Sequence, residues 1–382
     1  MAQFKFVIIA FIIWRLLLFI PIGIAENLLP YRPNQEFTNI LNKLDSESII
    51  NNLFLYPWAN FDGVHYLTIA NNGYTTEARF FPLFPILISL ATLMSSSIEY
   101  AFLAGLLLSN LFFLGSLLIL FKIVKDQYSK ETAKTTILAL LIFPTSFFFA
   151  VIYSESLFLF LTLLSFYFAQ KKKWLFASIA AMLLVSTRFV GIFIIPALIY
   201  EYLVQQKSLK FKNYLSITAI IFSSLTGLVA YSIFNYLKWG NMTYYLTAHT
   251  ELSNGRTSSS LVIPIQTLFR YFKILTTLPT AHFEWWIALL EVSSFILGSI
   301  LLLVAWRKKV NLSFLIFAVC AFSLPSLSGT FSGLPRYMLV IFPAFIALSL
   351  IKTKWIKWLY FSASGVLLFL LLIFFSRGYF VA

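Results

Sequence analysis

Charged residues, cysteines and histidines are scarce in this sequence. Only 11% of its 382 residues are charged, and it has a single cysteine, Cys320, and three histidines. A soluble domain carries about 25% charged residues, so this chain has too few polar side chains to cover a soluble globule. One cysteine excludes an internal disulfide framework, and three histidines provide little material for a metal cluster. The composition therefore excludes a soluble enzyme, a nucleic-acid-binding domain and a disordered protein.

Hydrophobic residues are abundant instead. They make up 60% of the chain, and aromatic residues alone make up 19%. A membrane span needs about 17–25 mostly apolar residues, and its backbone must be helical because lipid offers no partners for the amides. Apolar runs lie at 4–24, 81–97, 100–121, 135–152, 156–170, 174–187, 189–204, 214–237, 283–306, 311–330, 338–351 and 357–376. These runs predict an all-α polytopic membrane protein.

Basic residues between the runs predict the topology. The formal net charge is +14, and in membrane proteins Lys and Arg concentrate in cytoplasmic loops. The basic clusters are Lys122/Lys125/Lys130/Lys134, Lys171–Lys173, Lys207/Lys210/Lys212, Arg307/Lys308/Lys309 and Lys352/Lys354/Lys357. If all of them face the cytoplasm, the chain crosses the membrane about eleven times, with its N-terminus inside and its C-terminus outside. We expect one membrane domain over 1–382, with a first outer loop at about 26–80 and a second at about 238–282.

Two of the runs need a separate interpretation. The run at 81–97 breaks the parity of the crossings, so we interpret it as an interfacial or re-entrant helix on the outer side. The alternative is that this run spans and a later run does not. The run at 4–24 contains Arg15 and lacks a strongly basic start. These features favour a retained membrane anchor over a cleaved signal peptide.

The first outer loop contains a dense group of polar and aromatic residues, Asn60–Tyr66 (NFDGVHY). Asp62 and His65 are three residues apart, so a short helix places both on one face. Gly63 leaves room for a substrate to approach the Asp62 carboxylate. The surrounding aromatic residues suit a membrane interface or stacking against a sugar. The alternative is that Asp62 caps a helix that lies on the membrane.

Four more charged residues interrupt apolar segments near the outer face: Arg79, Glu155, Arg188 and Arg336. Each has a structural explanation, either an arginine that reaches the lipid headgroups or a carboxylate at a helix N-terminus. Together with Asp62 they come from five separate segments, which the charge-based topology places on one side of the membrane. A carboxylate among cations at a membrane face is the arrangement that transfer of an anionic lipid's headgroup needs.

Five motifs in these segments carry a resemblance to a known family. They are Phe61–Tyr66 (FDGVHY), Phe80–Pro85 (FFPLFP), Phe143–Phe158 (FPTSFFFAVIYSESLF), Thr187–Gly191 (TRFVG) and Pro335–Tyr337 (PRY). In this order, over residues 58–343, the sequence resembles the PIG-V-type mannosyltransferases. These are relatives of the second GPI mannosyltransferase within the GT-C superfamily of polytopic glycosyltransferases. Phe61 stands where that family usually has a tryptophan before its key aspartate.

The resemblance implies a GT-C-like helical bundle in the lipid bilayer, with its active site on the extracytoplasmic or lumenal side. It implies inverting, metal-independent transfer of a sugar, preferably mannose, from a polyprenyl- or dolichyl-phosphate donor to a glycolipid or glycan acceptor, with no cofactor. The family's catalytic aspartate corresponds to Asp62, which we expect to act as the base while Glu155 orients the acceptor. The residues expected to contact substrate are His65, Arg79, Tyr153, Arg188, Arg336 and Tyr337.

Two other functions fit parts of the sequence. A transporter or lipid flippase also places charges within its membrane domain, but it predicts charges spread through the depth of the bundle and half-helices in repeated positions. Here the charges cluster on one face, which favours the enzyme. A GT-C enzyme that moves a different sugar, such as glucose or arabinose, remains open, because sugar choice depends on hydroxyl contacts that a sequence does not display.

Overall fold

The computed structural model describes residues 4–32, 40, 48–92, 97–206, 211–252 and 262–382. Within these ranges all regular structure is helical. The helices are α1 (Lys5–Leu17), α2 (Phe19–Leu28), α3 (Asp62–Asn72), α4 (Leu83–Ala91), α5 (Ile98–Gln127), α6 (Lys130–Leu141), α7 (Glu155–Gln170), α8 (Trp174–Val185), α9 (Ile194–Val204), α10 (Phe211–Trp239), α11 (Tyr244–Leu252), α12 (Pro264–Thr277), α13 (Phe283–Arg307), α14 (Leu312–Ser326), α15 (Leu334–Tyr337), α16 (Pro343–Leu350) and α17 (Lys354–Ser376). The predicted all-α class is confirmed.

Some predicted features lie outside the described residues. They are parts of the first outer loop at 33–39 and 41–47, part of the second at 253–261, and Lys207 and Lys210 of one basic cluster. The described parts of both loops contain short helical segments. The first loop has a 3₁₀ turn at Tyr56–Ala59 followed by α3, and the second has α11 and α12.

Five described helical segments are long and apolar enough to cross a membrane. They are Lys5–Leu28, Ile98–Gln127, Asn213–Trp239, Phe283–Arg307 and Lys354–Ser376. Shorter apolar segments of 10–17 residues lie at Glu155–Gln170, Trp174–Val185, Phe189–Val204 and Leu312–Ser326. The chain is therefore a multi-pass membrane protein, as the sequence predicts, but the count of about eleven crossings is not confirmed.

One apolar run, 135–152, does not form a single helix. α6 ends at Leu141, and Pro144 follows, which has no N–H and disfavours a helical conformation at the preceding residue. Ser146 satisfies a carbonyl at the buried end of α6, because its hydroxyl donates to the carbonyl of Leu141 at 2.6 Å. The same hydroxyl accepts from Trp14 Nε1 at 3.3 Å. A fully buried 3₁₀ turn continues over Ser146–Phe149. The apolar character of this run therefore serves burial within the protein.

Two other runs also form short helices. The run at 338–351 becomes a 3₁₀ turn and then α16, whose eight residues begin at Pro343. Proline is well tolerated there because the first helical residue needs no N–H partner. The described helix in the run at 81–97 is α4, with nine residues. At 1.5 Å per residue α4 is about 13 Å long, too short to cross a bilayer alone.

The chain divides into two compact units, which are described separately. Unit 1 comprises Met1–Phe160 and Ile351–Val381, and unit 2 comprises Leu161–Leu350 with Ala382. The boundary between them falls within α7. The expectation of one membrane domain over 1–382 stays a prediction.

Aromatic rings fill the core of unit 1. Phe113 of α5 stacks on Phe149 with ring centroids 4.2 Å apart, and Trp14 of α1 packs against Phe113 at 5.0 Å. Beside this core the N–H of Ile152 donates to the carbonyl of Trp58 at 2.8 Å. This bond brings the segment before α7 against the segment before α3.

Close helix packing holds unit 2 together. α8 and α10 approach at Gly227, where an added Cβ would lie 2.5 Å from the carbonyl oxygen of Met182. Small residues at such contacts let membrane helices pack backbone to backbone. Elsewhere in the same unit, the Phe166 ring of α7 packs edge-on against Phe314 of α14, with ring centroids 4.8 Å apart, and lies 5.9 Å from the ring of Phe342.

Candidate active site

The turn that carries Asp62 is held by the residues that precede α7. α3 begins at Asp62, whose backbone N–H donates to the hydroxyl of Tyr153 at 3.1 Å. The same hydroxyl donates to the carbonyl of Asn60 at 3.0 Å. Gly63 sits close behind, since a Cβ there would lie 3.5 Å from the carbonyl oxygen of Ile152. Asp62 is partly exposed, whereas Tyr153 is fully buried.

The residue before Asp62 has a strained backbone. Phe61 has φ 58° and ψ −117°, a conformation that is unusual for any residue with a Cβ. Tertiary contacts hold it there: its ring lies 5.3 Å from both Phe375 and Phe380, and only 4% of it is exposed. Backbone strain of this kind costs about 1–3 kcal/mol and is concentrated at functional sites. The ring of Phe61, the aromatic residue before the candidate base Asp62, thus anchors the turn.

His65 and Arg79 both contact Phe80. The imidazole of His65 stacks on the Phe80 ring at 4.9 Å, and the Arg79 Cζ atom lies 4.7 Å from the same ring. α3 carries Asp62 and His65 one turn apart, as the i, i+3 spacing predicts.

Within the described residues, the buried Nε of Arg79 and Oδ1 of Asn60 have no hydrogen-bond partner. Such buried polar atoms are uncommon and call for a partner such as water or a ligand.

Glu155 begins α7, as the sequence predicts, and is 1% exposed. The residue before it, Ser154, is hydrogen-bonded to the hydroxyl of Tyr66 at 2.8 Å. The Tyr66 ring in turn packs edge-on against Phe80 at 5.1 Å. The predicted residues Asp62, His65, Arg79, Tyr153 and Glu155 are thus brought into one connected region of unit 1.

The other predicted residues lie in unit 2. The guanidinium carbon of Arg188 lies 5.3 Å from the ring of Tyr337, which is a cation–π contact. Arg336 is next to Tyr337 in α15, a single helical turn whose preceding residue, Gly333, has φ 81°. The unit therefore brings Arg188, Arg336 and Tyr337 together.

A polar network in unit 2 holds the segment before Arg336, and the sequence did not reveal it. The hydroxyl of Tyr271 in α12 donates to the carboxylate of Glu291 in α13 and accepts from the N–H of Phe331 at 2.9 Å. Thr330 Oγ1 lies 3.0 Å from the same hydroxyl. Arg270 adds a bond from Nη1 to the carbonyl of Gly329 at 3.0 Å. Burial and the nearby carboxylate raise the pKa of Tyr271 far above its usual range, so this phenol stays protonated.

A second cluster that sequence reasoning missed lies behind the Asp62 turn. Arg377, which follows α17, is buried; its Nε donates to the carbonyl of Leu29 at 3.0 Å and its Nη1 to the hydroxyl of Tyr56 at 3.3 Å. Asn60 Nδ2 donates to the carbonyl of Phe375 at 3.3 Å. Burial raises the pKa of Tyr56, against the opposing effect of Arg377. The C-terminal end of α17 and the arginine that follows it thus support the turn that carries the candidate base.

The signals for these missed residues were weak. Glu291 interrupts the apolar run at 283–306, and an ionisable residue inside a span is a reason to suspect function. α12 alternates exposed apolar residues with buried Thr267 and Tyr271, a pattern that indicates an amphipathic helix but not its contacts. Among the described residues no group of three His, Cys, Asp or Glu side chains is placed to hold a metal ion. Metal-independent transfer stays a prediction.

The fold and these turns define a polytopic, all-helical membrane protein with charged groups gathered at the ends of its helices. The model of the mannosyltransferase (PIG-V) family matches residues 4–305, and the chain belongs to this family. The resemblance to the PIG-V-type mannosyltransferases seen in the sequence is confirmed. No curated protein matches this chain.

Solved structures of the Archaeoglobus fulgidus oligosaccharyltransferase are similar at low identity. The apo form is 13% identical with a TM-score of 0.48, and the match covers 100% of this chain and 56% of that one. The form tethered to an acceptor peptide is 13% identical with a TM-score of 0.45, covering 99% and 56%. The complex with an inhibitory peptide and a dolichol-phosphate is 13% identical with a TM-score of 0.43, covering 85% and 52%. The chain spans about half the length of the structures it matches.

Proposed function

We propose that this protein transfers a sugar, mannose by preference, from a polyprenyl- or dolichyl-phosphate carrier to a hydroxyl of a glycolipid or glycan at the extracytoplasmic face of the membrane. The observation that carries the proposal is the strained, tertiary-held turn that fixes the partly exposed Asp62 at the start of α3. Membership of the PIG-V family supports the sugar and the reaction type. The carrier lipid, acceptor and membrane side belong to the proposal alone.

The reaction exchanges one bond at the anomeric carbon for another. The bond between that carbon and the carrier's phosphate oxygen breaks, and its electron pair leaves with the phosphate. The acceptor oxygen attacks from the opposite face, which inverts the anomeric configuration. Asp62 takes the acceptor's proton, and a positioned base of this kind contributes about 10²–10⁴-fold to the rate. Glu155 orients the acceptor hydroxyl.

The leaving phosphate needs cationic stabilisation more than it needs a proton. Arginine suits this task because its planar group donates two parallel hydrogen bonds to a phosphate. Arg336 and Arg188 are our candidates, since both lie at the turn around Tyr337. Arg79 is a third candidate because its Nε is buried without a hydrogen-bond partner in the described part of the chain, and His65 adjoins it across Phe80.

The first test replaces the candidate base. Asp62→Asn keeps the size of the side chain but removes the proton acceptor, so kcat for mannosyl transfer from a polyprenyl-phosphate donor should fall about 10²–10⁴-fold. Asp126→Asn is the matched control, since Asp126 is an exposed residue in the last turn of α5. If Asp62→Asn keeps most of its activity, Asp62 is not the base. Unchanged rates after chelator treatment are expected for metal-independent transfer.

The second test concerns the phosphate. Arg336→Ala should raise the donor KM far more than the acceptor KM, and Arg336→Lys should restore part of the loss. Arg307→Ala, at the far end of α13, is the control and should change neither constant. Equal losses for donor and acceptor would remove Arg336 from the phosphate site.

A separate measurement tests the flippase alternative. Carrier lipid that crosses the membrane with its sugar still attached would favour that alternative.

A further inference from the structure

A groove of about 380 Å³ lies between α6 and α17 in unit 1 and includes none of the candidate active-site residues. Thr135 and Leu138 of α6 line one wall. The other wall is formed by Lys354, Lys357, Trp358 and Phe361 of α17. These four are spaced i, i+3, i+4 and i+7, so they share one face of the helix. Next to the groove, the Tyr360 hydroxyl donates to the carbonyl of Ala139 at 2.8 Å and ties the two helices together.

The groove changes from charged to apolar along its length. Lys354 is the first residue of α17, which is itself a candidate membrane span of 23 residues. Phe361 lies seven residues farther along, about 10 Å deeper at 1.5 Å per residue. Trp358 lies between them, at the level where tryptophan side chains concentrate in membrane proteins. The lysines therefore occupy headgroup depth, and the apolar wall extends toward the hydrocarbon.

No acidic side chain is among the six described residues that line the groove. The nearest acid along α6, Glu131, forms an ion pair with Lys134 at 2.8 Å. Thr135 donates its hydroxyl to the backbone carbonyl of Glu131 at 3.0 Å. The lining thus combines two cations with an apolar wall, and this suits a ligand with a negative head and a hydrocarbon tail.

We propose that this groove binds an anionic phospholipid, with its phosphate at Lys354 and Lys357 and an acyl chain along Leu138, Trp358 and Phe361. A small soluble anion would gain nothing from the apolar wall, and a zwitterionic lipid would gain less from the two lysines. Trp358 is 72% exposed and Leu138 41% exposed, so both are open to the surrounding lipid. The lysine-rich helix ends assign the site to the cytoplasmic leaflet by the positive-inside rule.

The site is separate from the proposed transfer reaction, because it uses different residues and a different lipid. Anionic lipid bound here fills the space between α6 and the first two turns of α17. Because a ligand that binds only the folded state stabilises it, the protein should be more resistant to thermal unfolding in anionic lipid than in zwitterionic lipid.

The test measures lipid binding to the purified full-length protein by native mass spectrometry. Phosphatidylglycerol should bind more tightly than phosphatidylcholine. Lys354→Ala/Lys357→Ala should weaken phosphatidylglycerol binding roughly 25-fold, at about fivefold per lysine. Lys308→Ala/Lys309→Ala is the matched control, because it removes two exposed lysines that follow α13 and are not among the residues that line the groove. This control should leave the binding unchanged.

A second pair of measurements tests the apolar wall. Trp358→Ala should weaken phosphatidylglycerol binding, and soluble glycerol phosphate should bind far more weakly than the intact lipid. Both lysine variants must unfold at the wild-type temperature in phosphatidylcholine, which shows that they fold. The proposal is overturned if both lysine pairs weaken binding equally, if the two lipids bind alike, or if glycerol phosphate binds as tightly as the lipid. Each outcome is independent of mannosyl transfer.

Discussion

The hydroxyl group of Tyr153 accepts a hydrogen bond from the backbone N–H of Asp62, a residue 91 positions earlier in the chain, at 3.1 Å. The same oxygen donates to the carbonyl of Asn60, so one side chain satisfies two backbone groups of a strained turn. The placement of the candidate base therefore depends on a tertiary contact made by the segment before α7. α3 alone would not fix it.

Tyr153→Phe should disturb the Asp62 turn. The change removes the hydrogen bond of the Asp62 N–H to the phenol and one of the two bonds that the Asn60 carbonyl accepts, since the bond from the Gly63 N–H remains. An unsatisfied buried group costs about 1–3 kcal/mol. We expect kcat to fall at least tenfold, together with a lower unfolding temperature in detergent. The control is Tyr66→Phe, which removes the bond to Ser154 but not the bonds to the turn. Equal loss of kcat in both variants would contradict a specific role for Tyr153.

Tyr271→Phe should act on donor binding through the segment before Arg336. The N–H of Phe331 and the carboxylate of Glu291 both lose their bond to the phenol. A lost bond of this kind is worth about 1 kcal/mol, so we expect the donor KM to rise roughly fivefold while kcat changes little. Tyr360→Phe is the control, since it removes one partly buried tyrosine bond, from α17 to the carbonyl of Ala139. A uniform loss of stability with an unchanged donor KM would limit Tyr271 to a structural role.

Gly329→Ala should cost more stability than Gly240→Ala. Both glycines have positive φ angles, 81° and 72°, and the left-handed backbone costs about 1–2 kcal/mol for a residue with a Cβ. Only at Gly329 would the new Cβ lie 2.6 Å from Arg270 Nη1, whereas nothing lies within 4 Å at Gly240. The unfolding midpoints of the two variants are measured in thermal unfolding experiments that monitor tryptophan fluorescence. Equal midpoints would show that Arg270 moves aside freely.

The loop after α3 should loosen in acid because of Glu77. Partial burial raises the pKa of its carboxyl, but bonds from the Thr75 hydroxyl and N–H and from the Thr76 N–H outweigh burial and lower it below the ordinary value of 4.5. Because the pKa of the Glu77 carboxyl is lowered in the folded state, the ionised carboxylate stabilises the loop at pH values above the ordinary pKa. This stabilisation is lost as the pH falls through the folded-state pKa. Hydrogen exchange of residues 73–81, corrected for intrinsic rates, should therefore rise below about pH 4.5.

The variant Glu77→Gln provides the comparison for that experiment. Its amide oxygen still accepts hydrogen bonds but carries no titrating proton. Exchange in this variant should show no acid-dependent step between neutral pH and pH 3, once the intrinsic rates are removed. The same acid-dependent step in both proteins would assign the effect to another group.

Local sequence patterns predicted the parts of the site that depend on short-range spacing. The i, i+3 relation of Asp62 and His65 appears in α3, and α7 begins at Glu155. Composition predicted the membrane class, because burial in lipid demands long apolar helices. Both kinds of prediction use information that lies within a few residues or is averaged over the whole chain.

Contacts between distant segments were beyond the reach of such patterns. The apolar runs at 135–152 and 338–351 look like spans, but Pro144 and Pro343 redirect them into short, buried helices and turns. Hydrophobicity alone cannot separate burial in protein from burial in lipid. The bonds of Tyr271 and Arg377 join segments 60 and 321 residues apart, and nothing in the sequence around either residue marks its partner.

The bond between Arg377 and Tyr56 also sets a schedule for biosynthesis. A ribosome adds about 5–20 residues per second, and 321 residues separate these two partners. Tyr56 is therefore synthesised on the order of 15–65 seconds before Arg377, which donates to its hydroxyl. Until Arg377 has been synthesised, the turn that carries Asp62 lacks this support, so we expect the candidate active site to form only after α17 has been made.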